Sequence, residues 1–183
     1  MILELKNRNN GIAEKVLDHS CSFFHSFLIG ISNIMFKKKL VCVLFNAGKG
    51  DELTQQCRER ILAGLTFENS ILCFVGAKTW LMKTICPDKI VIELNNCSDT
   101  VGNIKEIKKF IKGKNFIEIL IISNHYHLRR IKLLMKIFNL EANVESAEEI
   151  IGIKNKISLV EYFLYLFTYI FWIVGFIKTK EVS

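Results

Sequence analysis

From Leu40 onward, short apolar runs alternate with stretches in which apolar residues recur every three or four positions. The runs at residues 40–45, 71–75, 89–94 and 117–122 contain β-branched residues and end in polar or turn-forming positions. That is the pattern of strands buried on both faces. Residues 52–67, 100–112 and 126–139 predict amphipathic helices, residues 78–85 a shorter one, and residues 141–144 a fifth strand at a sheet edge. Strand–helix alternation of this kind implies parallel strands joined by right-handed crossovers. The expected fold is α/β: a Rossmann-like three-layer domain over residues 40–150, with a mostly parallel sheet of four or five strands.

The two ends break this pattern. Residues 1–39 predict an N-terminal helical segment, whose apolar stretch 20–36 is interrupted by His25, Ser26, Ser32 and Asn33 and followed by Lys37, Lys38 and Lys39. With no basic region at a suitable distance before it and no small-residue cleavage site after it, a removable signal peptide is not expected. A helix covering one side of the sheet is the first reading, a weak membrane segment the second. Residues 158–177 predict a hydrophobic helix, a candidate transmembrane segment. Residues 159–177 hold a single ionisable side chain, Glu161, and as a helix would measure roughly 28 Å. A bilayer core is about 30 Å thick. Aromatic residues fall on every side of this helix, leaving no polar stripe for water. The alternative is a helix that closes the domain core. Lysines flank both ends (Lys154, Lys156, Lys178, Lys180), so charge does not orient the segment.

Composition narrows the class. In 183 residues there are one proline and ten glycines, and half the chain is hydrophobic, which supports a sizeable core and disfavours long disordered stretches. The six cysteines are spaced too widely for a zinc ribbon or a thioredoxin-type pair. Cys42 and Cys73 sit inside apolar runs, where a reduced thiol behaves as a small hydrophobe. The net charge of +7 is carried mostly by lysine. Lys105, Lys108, Lys109 and Lys112 share one helix face opposite Ile104, Ile107 and Ile111. A solvated helix face explains them, and attraction to an anionic membrane is the sharper reading. No nucleic-acid module accompanies the charge, so nucleic acid is not an expected partner.

Candidate chemistry gathers beyond strand ends, where open parallel sheets bind ligands. The run 119–122 stops abruptly at Ser123-Asn124-His125-Tyr126-His127-Leu128-Arg129-Arg130. Arg130 offers a permanently charged fork suited to phosphate or carboxylate. Thr100 and Asn103 begin a predicted helix, whose free N–H groups and dipole favour negative charge; Thr100 has an equal claim as the helix cap. Asn46, Gly48 and Gly50 follow the first strand, where glycine allows close approach to a ligand, although turn formation alone would also explain them. The loop is no Walker A motif, because Gly50 follows Lys49 where Ser or Thr is needed. It also lacks the third glycine of a dinucleotide fingerprint. His127, with an ordinary pKa of about 6.5, is the candidate general acid or base. His125 and His127 have no third partner at convincing spacing, so no metal site is expected. Arg60 reads as a helix-surface or structural cation, the lesser alternative being that it reaches the crevice.

Several of these segments resemble the YdcF-like family, a domain of uncharacterised function shared with the envelope proteins SanA and ElyC. Ser123 to Arg130 is similar to the family loop T-S-x-Y-H-x-x-R, and Cys97-Ser98-Asp99-Thr100-Val101-Gly102-Asn103 to the motif S-x-N-T-x-E-N. Pro87-Asp88-Lys89-Ile90-Val91-Ile92-Glu93 echoes the family's P-x-x-I-x-x-E. Residues 41–50 and 53–60 resemble its first strand, glycine loop and L-x-x-R. The resemblance covers roughly residues 40–145 with order and spacing kept. The departures are Val75-Gly76-Ala77 for S-G-G, Gly102 for an acidic residue, Asn124 for a hydroxyl, and a short segment from Gly76 to Pro87. The acidic side of the implied site is therefore depleted, although Glu161-Tyr162 resembles a glutamate-bearing terminal helix of the family.

Taken together, residues and resemblance lead to a membrane-associated domain that binds a phosphate-bearing small molecule or lipid-linked intermediate, possessing an envelope-related role in some relatives. His127 is the expected proton-transfer residue; Asn46, Gly48, Gly50, Thr100, Asn103, Ser123 and Arg130 are the expected ligand contacts. No cofactor is identified. The alternatives are a non-catalytic interaction protein with a degenerate site, and a nucleotide-cofactor enzyme. The expected location is the membrane with the domain on the cytoplasmic side, the alternative a soluble cytoplasmic protein.

Overall fold

The computed structural model describes residues 38–45, 52–155 and 158–175. The chain divides into two units, Met1–Lys37 and Lys38–Ser183, and all described residues belong to the second. The helical segment expected over residues 1–39 lies outside them, apart from Lys38 and Lys39.

Five strands form one all-parallel sheet: β1 (Lys39–Leu44), β2 (Ser70–Val75), β3 (Val91–Leu94), β4 (Glu118–Ser123) and β5 (Asn143–Ser146). Between and after them lie α1 (Gln55–Leu65), α2 (Thr79–Lys83), α3 (Thr100–Ile111), α4 (Leu128–Ile137), α5 (Ala147–Ile151) and α6 (Leu159–Ile173). The spatial order is β3-β2-β1-β4-β5. The first three strands build outward in one direction, after which α3 carries the chain back to the other side of β1. Right-handed crossovers then require the helices of the two halves to lie on opposite faces. Accordingly α1 packs on β1, β4, α2 and α5, whereas α3 packs on β2, β3 and α4. The result is the expected three-layer, Rossmann-like α/β fold, and the predicted edge strand is the fifth member of the sheet.

Burial follows strand alternation. Val41, Val43, Leu72, Phe74, Leu120 and Ile122 form one core with Cys57, Ile61, Ala63 and Met82. On the other strand positions, Leu40, Cys42, Cys73 and Ile121 are also fully buried, as are Ile104, Ile107, Ile131 and Leu134 of α3 and α4. The five described cysteines are free. The lysine face of α3 is partly engaged: Lys108 donates to the Phe138 carbonyl at 2.8 Å and Lys105 lies 5.2 Å from the Phe138 ring centre. These two lysines tie α3 to the end of α4.

The terminal helix is shorter than its sequence suggests. Helix α6 spans 15 residues, roughly 22 Å. It ends where Val174 and Gly175 donate to the carbonyls of Ile170 and Trp172 and Gly175 takes φ +78°, a glycine-type stop. Among the described residues no helix is long and apolar enough to cross a membrane. The candidate transmembrane segment over residues 158–177 is thus a shorter helix, with residues 176–177 outside the described part. It packs along α4, and its seating is inverted. The less exposed positions are Glu161, Tyr165, Thr168 and Trp172, spaced along one face, while Val160, Phe163, Phe167 and Ile173 are each more than half exposed.

Gly64 sets how closely α1 approaches the sheet. A Cβ there would lie 2.7 Å from Val43 Cγ2 and 3.1 Å from Leu72 Cδ1, and β-branched side chains have little freedom to yield. Gly64→Val is expected to cost about 1–3 kcal/mol through overpacking. Urea denaturation should show a lower midpoint with an unchanged slope.

Candidate functional site

The order of strands reverses between β1 and β4, so their carboxyl ends flank the crevice where such sheets bind ligands. A cavity of about 240 Å³ opens there. Phe45 enters from β1, Gly76 and Ala77 from β2, and Ser98, Asp99, Thr100 and Asn103 from the β3–α3 turn. His127 and Arg130 enter from the β4–α4 turn, Arg60 from α1 and Glu161 from α6. The loop carrying Asn46, Gly48 and Gly50 lies outside the described residues. Of the other expected contacts, Thr100, Asn103, His127 and Arg130 come together. Ser123 does not: it is fully buried as the last residue of β4 and is absent from the cavity lining, because successive strand residues face opposite ways.

Local structure decides what each group is free to do. Asp99, rather than Thr100, caps α3, accepting from the Gly102 N–H at 2.6 Å. The Thr100 hydroxyl is thereby left to the cavity. After Asn124 a single 3₁₀ turn, His125–His127, precedes α4 and turns the two imidazoles to different tasks. His125 Nδ1 meets Glu149 at 3.0 Å on the surface, whereas His127 turns inward. Among the described residues no group of three His, Cys, Asp or Glu is placed to hold a metal ion. Gly76 has φ +142°, and a Cβ there would collide with Phe45 Cβ; the close approach of β1 and β2 at the cavity floor requires glycine.

At the centre, Arg130 Nη2 donates to Thr100 Oγ1 at 3.0 Å and Glu161 Oε1 at 3.2 Å, and lies 3.2 Å from His127 Nε2. Thr100 Oγ1 is also 3.2 Å from Nε2, and His127 Nδ1 is 3.4 Å from Glu161 Oε1. A guanidinium can only donate, so Nε2 is the acceptor and Nδ1 carries the hydrogen toward Glu161. The imidazole is neutral: burial first, then the Arg60 and Arg130 charges, push its pKa down to about 2. The His127–Glu161 approach at 3.4 Å is accordingly a contact between a carboxyl group and a neutral ring, not an ion pair. Burial raises the Glu161 pKa against the opposing pull of Arg130 and Arg60. The site therefore holds a hydroxyl, an unprotonated ring nitrogen, a guanidinium and a carboxylate within hydrogen-bond reach of one another.

Several groups are only partly satisfied. Asn103 Oδ1, Arg130 Nε and Glu161 Oε2 are buried without a hydrogen-bond partner among the described residues. Amide oxygen and nitrogen are interchangeable by rotation, so Asn103 can present either an acceptor or a donor. Unpartnered buried groups of this kind cost free energy; these three line one cavity, and Ser123 Oγ, outside its lining, is a fourth among the described residues.

Beneath the cluster, Arg60 is 2% exposed. It donates from Nε to Asn124 Oδ1 at 2.6 Å and from Nη1 to the Leu44 carbonyl at 2.9 Å. Asn124 passes the link on, donating to Glu148 at 2.8 Å. Glu148 also accepts from the His125 N–H and the Ser146 hydroxyl, both at 2.9 Å. Burial acts to raise the Glu148 pKa, but these hydrogen bonds prevail and lower it. The surface reading of Arg60 is thus replaced by a buried structural cation whose edge reaches the cavity. Asn124 is the joint of this network.

Arg60, Asp99, Gly76 and Glu161 line the cavity without being among the expected site residues, although Asp99 and Gly76 lie in the quoted motif segments and Glu161 in the segment likened to a glutamate-bearing helix. For Glu161 a signal was available: it is the one ionisable residue in a long apolar stretch, and such a residue is seldom without a partner. With Asp99 and Glu161 both lining the cavity, its acidic side is not depleted. No known protein family, curated protein or solved structure matches this chain.

Two measurements follow from this geometry. Asn124→Ala leaves both Arg60 and Glu148 buried and underbonded, and is expected to cost about 3 kcal/mol or more, read by chemical denaturation. Between about pH 6.5 and pH 2 the unfolded chain binds a proton that the native His127 refuses, so His127 makes stability fall as pH falls through that window. Replacing it by Gln should make the pH dependence shallower by up to about 1.4 kcal/mol per pH unit. Glu161 acts in the opposite sense, its contribution being lost as pH rises through its raised value, so Glu161→Gln supplies an independent arm. An unchanged slope in His127→Gln would reject the buried neutral imidazole.

Proposed function

We propose that this chain is a membrane-associated α/β domain that binds a phosphate-bearing small molecule or lipid-linked intermediate at the carboxyl ends of β1 and β4. The observation that carries the reading is that Arg130 Nε and, on the first turn of α3, Asn103 Oδ1 are both buried without a hydrogen-bond partner among the described residues and line one cavity. A phosphate oxygen can take the guanidinium hydrogen bond while the helix terminus favours its charge. His127 Nε2 is the proton acceptor or, after protonation, donor. Burial is the main reason the ring is unprotonated, and an anion bound beside Arg60 and Arg130 would offset only the further lowering due to their charges, shifting its pKa upward. The resemblance of residues 97–103 and 123–130 to YdcF-like motifs supports the same location, and an envelope-related role is part of this proposal.

Membrane association rests on the inverted seating of α6. Its polar groups face the protein, and its exposed side is aliphatic and aromatic. Apolar side chains left in water each forgo about 1.5–3 kcal/mol of burial, so this face fits an apolar environment. One observation favours the rival reading of a non-catalytic interaction protein: Glu161 already occupies Arg130, as an anion would.

Untargeted mass spectrometry of ligands retained by the native protein separates the two. A phosphorylated ligand retained by the wild type and lost in Arg130→Ala supports the binding reading, whereas an empty cavity supports the rival. With inorganic phosphate as probe, Arg130→Ala is expected to weaken binding by about 1.5–3 kcal/mol, with Arg130→Lys intermediate because it lacks the planar fork. Calorimetric titration measures this, and thermal melts establish that the variants remain folded. Unchanged affinity would reject Arg130 as the clamp.

A further inference from the structure

A second, larger cavity of about 480 Å³ lies between α4 and α6, on the outer side of the Tyr126–His127 turn. Its walls are two-sided in chemistry. Leu128 and Leu159 with the rings of Tyr162 and Tyr165 line it, the exposed Arg129 and Lys132, one turn apart on α4, line its α4 side, and Glu161, held by Arg130, borders it from α6. Neither cation makes an ion pair among the described residues. The cavity borders α6, the helix whose outward face is apolar.

We infer that this groove is a headgroup site for an anionic phospholipid, with Arg129 and Lys132 on the phosphate and the first chain carbons along Leu128, Leu159 and Tyr165. The inference rests on the membrane reading of α6 and adds to it a specific lipid chemistry. Tyrosines suit the position, since an apolar ring with a polar tip settles at a membrane interface. Helix α6 turns an apolar face outward, as a helix lying in the interfacial plane does, and cations beside such an anchor draw it to a negative leaflet. A second copy of the chain is a poorer occupant. Pairing through α6 would bring the Arg129, Lys132 and Lys154 charges of two copies toward each other, and like charges juxtaposed at an interface are unfavourable.

The test is flotation of the full-length protein with vesicles of phosphatidylcholine alone and of equimolar phosphatidylcholine and phosphatidylglycerol. Stronger binding to the mixed vesicles is expected, weakened by salt and lowered roughly fivefold by each of Arg129→Gln and Lys132→Gln. The paired control Arg58→Gln with Lys89→Gln, which removes two exposed cations away from α4 and α6, should leave binding unchanged. All four positions are exposed or partly exposed cations outside the core, and thermal melts verify folding. Equal binding to both vesicle types, unaffected by Arg129→Gln and Lys132→Gln, would overturn the headgroup site while leaving apolar docking of α6 intact. An equal loss in the control would also overturn it, by showing diffuse attraction. No flotation with either vesicle, together with concentration-dependent dimers in analytical ultracentrifugation, would overturn both the headgroup site and the membrane reading.

Discussion

A guanidinium taken out of water at the point where the sheet reverses direction is the constraint on which this structure depends. Arg60 cannot shed its charge, so its donors must be met by fixed acceptors. It finds them in the Leu44 carbonyl and the Asn124 amide oxygen, one at the end of β1 and the other just past the end of β4. Helix α1 is thereby locked to both strands at the crevice. Glu148, reached through Asn124, adds α5 to the same joint and balances the charge. An apolar core fixes which faces pack; this network fixes where two strand ends stand relative to one another. Hydrogen bonds of defined direction do that better than non-directional burial.

The cavity above inherits its order from that joint. Asn124 immediately precedes the 3₁₀ turn, so its anchoring aims His127 inward while His125 remains outside with Glu149. Across the crevice, Asp99 takes the capping role and releases the Thr100 hydroxyl. The two turns meet at Arg130 Nη2. One nitrogen serving a hydroxyl, an imidazole and a carboxylate is crowded, and the guanidinium Nε nearby goes unpartnered. Such unevenness departs from the full satisfaction typical of buried polar groups. A ligand that supplied the missing partner would relieve it.

Most of the fold was legible because strands buried on both faces and helices buried on one leave different periodicities. The parallel sheet, its fifth strand and the helices between strands all follow from those periods. Site residues carried by a strand-end motif, such as His127 and Arg130, were legible for the same reason: the position beyond a strand announces them. Arg60 was not, since it lies in the polar sequence Gln55-Gln56-Cys57-Arg58-Glu59-Arg60, where nothing local distinguishes an exposed cation from a buried one. Only the tertiary placement of Asn124 and Leu44 makes that distinction. Asp99 and Thr100 are adjacent and equally able to cap, so side-chain geometry had to choose between them. Ser123 illustrates the reverse error, a motif residue that strand alternation turns away from the cavity. In the tail, hydrophobicity measured the apolar stretch and Gly175 set the end of the helix, and the two do not coincide.

Glu161 joins the parts that sequence kept separate. Its carboxylate lies on Arg130 and beside His127, yet it belongs to the helix with the most apolar exposed surface in the described chain. The position of α6 therefore sets the charge balance inside the cavity. With Glu161 seated, Arg130 has an anionic partner. With α6 displaced, the guanidinium would face the cavity without it, and the site would favour an external anion more strongly. Burial of a carboxylate and exposure of aromatic rings on one short helix are opposite departures from the usual distribution of side chains. Their joint occurrence places the crevice carboxyl group and the exposed apolar surface on one element.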